Sequence, residues 1–324
     1  MSIDPEIAKR VTRALNEGRL LAIPTETVYG LAAPIDRPDL IARIFELKGR
    51  PAENPLIVHV ATLEQAQGCV ERWSELADTL AARFWPGPLT LVLPRSTVIS
   101  DRISGGQPTV ALRMPDHPLT LGVIRALDRP VVAPSANLYT RLSPTSADAV
   151  ASVFSADDVM VLDGGPCRVG IESTIVAIDE PNRILWWLRP GQVHRQQLID
   201  VLPPGWSLQR PDEDAGQAEP VVPGKALAHY RPGKRLRVHV CSDTAAAQGM
   251  RLRLERDSET TCLELPIDPD QAARSLYAML RDADQRPGQR IDLVISLERV
   301  EAPAWEGVIN RLQKAASEWI VVGD

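Results

Sequence analysis

Two hydrophobic patterns alternate along this chain. Ile7, Val11 and Leu15 recur on one helical face after Pro5, and Gly18 closes the stretch, which predicts an amphipathic first helix. Leu20–Ile23 follows as a short buried strand. Ile41, Ile44 and Phe45 mark a second helix over Pro38–Lys48. Leu56, Ile57, Val58 and Val60 then form an apolar, mostly β-branched run bounded by turn residues, which reads as a strand covered on both faces. The same reading predicts helices at Leu63–Val70, Ser74–Phe84, Pro118–Leu127, Ala147–Phe154 and His194–Val201. It predicts strands at Leu89–Leu93, Thr109–Arg113, Val131–Ala133, Val159–Leu162 and Arg183–Leu188, and a turn running into a strand over Gly170–Val176.

From Gln209 to Lys234 the pattern breaks into an acidic, Pro/Gly-rich linker that ends in His229-Tyr230-Arg231-Pro232. Beyond it, strands at Leu236–Val240, Thr261–Pro266, Ile291–Ile295 and Trp319–Val322 alternate with helices, including Asp270–Arg281 and Trp305–Ala316, which implies a small parallel-sheet domain. No G-x-G-x-x-G opens its first helix, so a dinucleotide site is not supported. The expected organisation is a first domain over 1–208, a linker over 209–235 and a second α/β domain over 236–324.

Composition bounds the function. The chain has 324 residues, of which 44% are apolar and 24% charged, enough for a large core. Its formal net charge of -6 argues against a protein that coats nucleic acid, though not against one basic cleft. Cys69, Cys167, Cys241 and Cys262 show no C-x-x-C spacing, which argues against a zinc ribbon or redox motif and fits a reducing cytoplasm. Met1-Ser2-Ile3-Asp4-Pro5 lacks a basic-then-apolar signal pattern, and no apolar run reaches membrane-spanning length, so a cytoplasmic protein without a membrane partner is expected.

The chemistry gathers around one stretch. Lys48 and Arg50 sit where a helix ends, Asn54 follows, and His59 lies within the next strand. Folding does not require these residues together; an anion site would. Each has a plainer explanation. Lys48 complements a helix dipole, Arg50 is a surface cation, and a lone strand histidine is more often a satisfied core residue. Thr25-Glu26-Thr27 directly after a buried strand is unusual, since strand ends of open α/β sheets are where ligands bind. Arg113 at a strand terminus suits a bidentate hold on a carboxylate, with a surface salt bridge equally open. Pro134-Ser135-Ala136-Asn137 is a polar elbow after a strand, and no G-x-S-x-G surrounds Ser135.

Taken together, P-T-E-T-V-Y-G-L, K-G-R-P with N-P-L-I-V-H-V, F-W-P-G-P-L-T, A-L-R-M-P, A-P-S-A-N, S-P-T, G-I-E-S-T-I-V and L-R-P-G resemble the YrdC/Sua5 family, in its long form with a second domain. The resemblance implies a twisted, open, mixed sheet with flanking helices and a smaller Rossmann-like parallel-sheet domain. It implies the synthesis of threonylcarbamoyl-AMP from L-threonine, bicarbonate or CO2, and ATP, with Mg2+ on the phosphates. Downstream proteins would transfer the group to tRNA; direct tRNA binding is left open. By motif position, Lys48 and Arg50 are the expected catalytic pair. Thr27, His59, Arg113, Ala133 and Ser173 fall to threonine, and Arg50, Asn54, Thr109, Ser135, Asn137, Ser143, Arg189, His229 and Tyr230 to ATP. Two stretches depart from the family pattern: Leu138-Tyr139-Thr140-Arg141 stands where S-G is usual, and the linker reads A-L-A-H-Y-R-P. The competing readings are a carbamoyl-phosphate-using carbamoyltransferase of the same superfamily and an RNA-binding module. The acidic total and the 4% aromatic content weigh against the latter.

Overall fold

The computed structural model describes residues 3–211 and 229–322. Fourteen strands are formed among them: β1 (Leu20–Ile23), β2 (Gly30–Pro34), β3 (Ile57–His59), β4 (Leu89–Pro94), β5 (Thr109–Arg113), β6 (Val131–Val132), β7 (Val159–Val161), β8 (Thr174–Asp179), β9 (Ile184–Arg189), β10 (Ser207–Gln209), β11 (Arg235–Cys241), β12 (Thr260–Glu264), β13 (Arg290–Ser296) and β14 (Glu318–Val321). The first ten make one mixed sheet in the order β10-β9-β8-β4-β5-β3-β6-β2-β1-β7, and the last four make a parallel sheet in the order β12-β13-β11-β14.

The chain divides into two units, and they interleave in sequence. The first holds the described residues up to Tyr139, Pro144–Arg168, and those from Glu172 to 211; the second holds Thr140–Ser143, Val169–Ile171 and the described residues from His229 onward. Within the second unit, Arg231 N–H donates to Thr140 O at 2.8 Å, and Arg281 reaches Leu142 O and Ser143 O at 3.4 and 3.3 Å. A side chain at Gly170 would meet Arg274 Cα at 2.4 Å, so the 169–171 loop needs a glycine there. Most of the stretch read as a linker, 212–228, lies outside the described residues.

In the first unit, alternation along the central strands separates two faces. Val58, Leu91, Val110, Leu112 and Val176 point into the large core, which also takes Leu40, Ile41, Ile44, Leu76, Leu80, Val123 and Ile124 from the helices Pro38–Lys48, Glu75–Phe84 and Pro118–Leu127. The opposite face carries a small apolar cluster of Ile57, Val92, Ala111, Ile175 and Ala177. The candidate chemistry stands around that cluster.

One core strand was not expected from the pattern. β2 reads Gly-Leu-Ala-Ala-Pro, poor strand formers, yet all five residues are buried. Antiparallel pairing with β1 on one side and β6 on the other sets it, a tertiary cause that no local propensity reports. Gly30 is required within it, because a Cβ there would stand 2.9 Å from Ala133 Cβ.

The second unit also has two unlike faces. Leu236, Val238, Val240, Ile291, Leu293 and Ile295 are buried on one, where the helices Pro269–Gln285 and Glu306–Ala315 bring Leu276, Tyr277, Leu280, Val308 and Leu312. The other face is polar. Register places Arg237 opposite Asp292, His239 opposite Val294, and Cys241 opposite Ser296. Asp292 is fully buried and accepts from Arg237 Nε and Nη2 at 2.7 and 2.8 Å, with His239 Nε2 2.7 Å away. Burial alone would raise this carboxyl, but the hydrogen bonds from His239 and Arg237 outweigh it and hold the group well below the usual carboxylate range. The helix Thr244–Leu254, tied to this face by an Arg251–Glu264 ion pair, buries none of its residues.

A carboxyl held low stabilises the fold above its unfolded value of about 3.9, and that contribution is lost as pH falls below it. Asp292→Ala leaves two paired groups without their partner and is expected to cost about 3–5 kcal/mol in denaturant unfolding of the second unit at pH 7. The loss should shrink as pH falls below about 4. An unchanged midpoint would show that the cluster contributes nothing.

Candidate active site

The strand pair β3–β5 sets the axis of the site. The two run parallel, with Ile57 opposite Ala111 and His59 opposite Arg113. At their C-terminal end stand His59 and Arg113; at the other end stand Thr109 and the loop carrying Arg50 and Asn54. Four residue steps along β5 lead from Thr109 to Arg113, about 13 Å at ~3.3 Å per step.

Arg113 is buried and fully engaged. Its Nη1 donates to Thr27 Oγ1 at 2.8 Å and its Nε to Gly87 O at 3.2 Å. Its Nη2 lies 2.7 Å from Glu26 Oε1, with both side chains at least 96% buried. Neither Nη2 nor Oε1 has a well-aligned hydrogen bond, so this contact is an ion pair held off-line. Glu26 Oε2 in turn accepts from Asp116 N at 3.0 Å. The guanidinium read as a substrate carboxylate holder thus already faces a protein carboxylate. Thr27 is fixed by Thr25, whose Oγ1 lies 2.9 Å from Thr27 Oγ1 and donates to Val28 O at 2.6 Å.

His59 is buried, and its Nδ1 stands 3.3 Å from Ile57 O. A carbonyl only accepts, so Nδ1 carries the hydrogen and Nε2 is left as an acceptor. Burial, then the neighbouring charge of Arg113, pushes the imidazole down to about 3, so it is neutral at physiological pH.

Ser173 precedes β8. Its Oγ lies 2.7 Å from Thr90 Oγ1 on β4, and Arg189, at the end of β9, donates from Nε to Ser173 O at 3.0 Å and from Nη2 to Ser173 Oγ at 3.1 Å. Gly191 allows this approach, since a Cβ there would sit 2.5 Å from Thr174 N.

At the other end, Lys48 lies in the last turn of its helix, which Gly49 closes in the left-handed conformation. The side chain is buried, and its Nζ donates to Ser135 O and Asn137 O, both at 2.5 Å. Burial, then Arg50, draws this ammonium well below the ordinary lysine range. Ser135, Asn137 and Ala133 follow from β6, with Ala133 N–H bonded to Ile57 O at 3.0 Å. Arg50 Nη2 donates to Pro55 O at 2.9 Å, and its guanidinium carbon is 6.0 Å from the centre of the Tyr139 ring. Asn54 Nδ2 donates to Tyr139 OH at 3.0 Å, while Tyr139 N–H donates to Lys48 O at 2.8 Å.

The first unit therefore holds Thr27, Lys48, Arg50, Asn54, His59, Thr109, Arg113, Ala133, Ser135, Asn137, Ser173 and Arg189. Ser143, His229 and Tyr230 belong to the second. There the His229 and Tyr230 rings meet edge-on at 4.1 Å, Tyr277 lies 5.8 Å from Tyr230, and Arg311 stands over the Tyr230 ring at 5.5 Å. Sequence reasoning left out Glu26, Thr90 and Tyr139. Glu26 lay in a cluster already marked as unusual; Thr90 was visible as a hydroxyl inside an apolar run; Tyr139 stood in the stretch that departs from the family pattern.

A family model described as "Telomere recombination" (Sua5, YciO, YrdC) matches residues 13–191. A second, described as "Threonylcarbamoyl-AMP synthase, C-terminal domain", matches residues 193–317. The chain belongs to the YrdC/Sua5 family. A relative from Pyrococcus abyssi named threonylcarbamoyl-AMP synthase is 37% identical over 95% of this chain and 93% of its own. One of the same name from Bacillus subtilis is 34% identical over 98% and 95%. The crystal structure of P. abyssi Sua5 complexed with L-threonine matches with a TM-score of 0.88 and 34% identity, covering 100% of this chain and 98% of that one. The α/β architecture expected from the family, a mixed sheet and a separate parallel sheet, is the one observed.

The His59 result is open to measurement. Folding a histidine in its neutral form favours the folded state above the unfolded value of about 6.5. As pH falls from there towards 3, the unfolded chain alone takes up this proton, and stability drops by at most ~1.4 kcal/mol per pH unit. In a histidine NMR titration of the folded protein, the His59 ring resonances should stay fixed down to pH 4; a midpoint near 6.5 would contradict this environment.

Proposed function

We propose that this chain is an L-threonylcarbamoyl-adenylate synthase that serves threonylcarbamoyladenosine formation in tRNA. The threonine amine adds to CO2 to give a carbamate. A carbamate oxygen attacks the α-phosphorus of ATP, and pyrophosphate leaves with the electron pair of the broken bond. No enzyme nucleophile is needed. What the reaction needs is several anions held together and in line.

The observation that carries this reading is the pair of cation sets at opposite ends of β3–β5: Arg113 beside His59 at one end, Lys48 and Arg50 beside Asn54 at the other. Two unit charges 4 Å apart interact by roughly 4 kcal/mol at an effective dielectric of 20, so a carbamate beside a triphosphate needs such compensation. In this reading Arg113 takes the threonine carboxylate, with Glu26 holding the guanidinium in place. Thr27, Ala133 and Ser173 complete the threonine side. His59, neutral and with Nε2 free to accept, meets the substrate hydroxyl or amine and not its carboxylate. Burial disfavours the Lys48 charge, and the triphosphate offsets that cost. Arg50, Asn54, Thr109, Ser135, Asn137 and Arg189 line the nucleotide, and Ser143, His229 and Tyr230 are assigned to it from the second unit's sequence motifs.

The nucleotide enters as its Mg2+ complex. Among the described residues no group of three or more His, Cys, Asp or Glu side chains is placed to hold a metal ion. A site of cations, hydroxyls and amides suits an ion carried by phosphate oxygens and water. The product passes to proteins that transfer the group to tRNA. A reducing cytoplasm suits the free thiols, with Cys69 and Cys167 buried. No helix among the described residues is long and apolar enough to cross a membrane.

Purified protein given ATP, Mg2+, bicarbonate and each amino acid in turn should release pyrophosphate with threonine. Release that depends on carbamoyl phosphate instead would overturn the reading. Lys48→Ala and Arg113→Ala should each lose on the order of 2–5 kcal/mol of transition-state stabilisation, read as kcat/KM, because each leaves a substrate anion uncompensated. Near-normal rates in either variant would remove that residue from the site.

Tyr139 acts through its neighbours. Tyr139→Phe removes the acceptor of Asn54 Nδ2 while keeping the ring beside Arg50. It should raise the KM for ATP by about three- to tenfold, equivalent to one hydrogen bond of ~1 kcal/mol, and leave the KM for threonine unchanged. An equal rise in both constants would mean a general loosening of the unit.

A further inference from the structure

The small apolar cluster of the first unit is a row, and register gives its order. Ile57 on β3 pairs with Ala111 on β5, Ala111 with Val92 on β4, Val92 with Ala177 on β8, and Ala177 with Trp186 on β9. Alternate residues of a strand share a face. His59, Thr109 and Arg113 each lie two residues from a member of the row, so they stand on the same face as it does. Four strand spacings of about 4.8 Å put Trp186 roughly 19 Å across the sheet from Ile57.

The row has a charged end and an aromatic end. Beside Ile57 lie the cations assigned to the triphosphate: Arg50 donates to Pro55 O just before β3, and Lys48 donates to the Ser135 and Asn137 carbonyls that follow β6, the other neighbour of β3. At the far end Trp186 and Leu188 pack against the row while staying only half-buried. The two tryptophans of β9 divide by face. Trp187 is 3% exposed and belongs to the large core. Trp186 faces the other way, and its Nε1 donates to Asp179 Oδ2 at 3.3 Å, an oxygen that Asn182 Nδ2 also meets at 2.9 Å. The indole is thus held in place by the sheet edge itself.

The chemistry of the row selects what can lie on it. Ala111, Val92 and Ala177 in the middle are small and carry no polar group, and the indole N–H is committed to Asp179. A phosphate, a sugar or an amino-acid zwitterion would lose hydrogen bonds to water there and gain none. A flat ring loses little and gains an aromatic partner. A nucleoside triphosphate that meets Lys48 and Arg50 with its phosphates finds this apolar surface only in the direction of β9. We propose that Trp186 is the residue against which the site holds the nucleobase of ATP, an assignment that rests on the synthase function proposed above. The base would lie over Ala111, Val92 and Ala177 and pack on the indole. Stacking of this kind strengthens binding without choosing among bases, because every base has a π face. Trp186 would therefore favour a nucleotide over a bare polyphosphate.

The test compares ADP with inorganic pyrophosphate on the full chain by titration calorimetry. Trp186→Ala should weaken ADP binding about tenfold and leave pyrophosphate binding unchanged. Trp186→Phe, which keeps a ring, should recover most of the loss. In threonine-dependent pyrophosphate release, the KM for ATP should rise with the ADP constant while the KM for threonine stays fixed. Equal ADP affinity in Trp186→Ala and the parent chain would overturn the proposal, and so would an equal loss for ADP and pyrophosphate. If Trp186→Ala fails to fold, Trp186→Leu takes its place, and Leu and Phe variants of equal ADP affinity would overturn it. A parent chain that binds ADP in this Trp186-dependent way but releases no pyrophosphate with threonine would refute the synthase function alone.

Discussion

Burying a cation is the constraint on which the first unit turns. Lys48, Arg113 and Arg189 are each at least 96% buried. An isolated charge at that depth costs several kcal/mol, so each must be met by fixed dipoles or an opposite charge. Lys48 meets two carbonyls of the Ser135–Asn137 elbow, Arg113 meets Glu26, Thr27 and Gly87, and Arg189 meets Ser173. These contacts join segments far apart in sequence. The end of one helix is tied to the turn after β6, and the turn after β1 is tied to the end of β5. Satisfying the charges and assembling the site are the same act.

That coupling explains which residues are committed before a ligand arrives. Glu26 keeps Arg113 from being an uncompensated buried charge. On the proposed reading a substrate carboxylate would share or replace this partner, and the contact open to replacement is the off-line ion pair, since the bonds to Thr27 and Gly87 are aligned. Lys48 follows the same logic by another route. Burial makes its charge costly, and on the proposed reading a nucleotide phosphate would offset that cost. Each buried cation is thus paired within the fold, and the unit is not held as a strained pocket of bare charges.

Much of this was legible in the chain. The strand Leu56–Val60, the helix ending at Lys48 and the Arg at the end of β5 follow from apolar periodicity and turn residues, and the motifs assign them a shared site. What was not legible depends on partners distant in sequence. β2 is a strand because β1 and β6 flank it, whereas Gly-Leu-Ala-Ala-Pro says otherwise locally. Glu26 was conspicuous, but that it would face Arg113 required knowing that the turn after β1 lies against the end of β5. The loops at 140–143 and 169–171 carry no compositional mark of their membership in the second unit.

The second unit shows how a parallel sheet departs from the expectation of apolar strands on both faces. Its β11 reads Arg-Leu-Arg-Val-His-Val-Cys, a half-polar alternation more usual for a strand with one wet face. The polar half is nonetheless covered, by a helix with no buried residue. Asp292 makes that arrangement tenable, because one carboxylate satisfies Arg237 and His239 at once. A helix laid over such a face has little apolar area to hold it, so its position rests on ion pairs such as Arg251 with Glu264. Weak apolar contact under the helix and the unsatisfied Ser296 hydroxyl at the end of β13 have one physical origin: this face of the sheet is largely built from polar atoms that need partners.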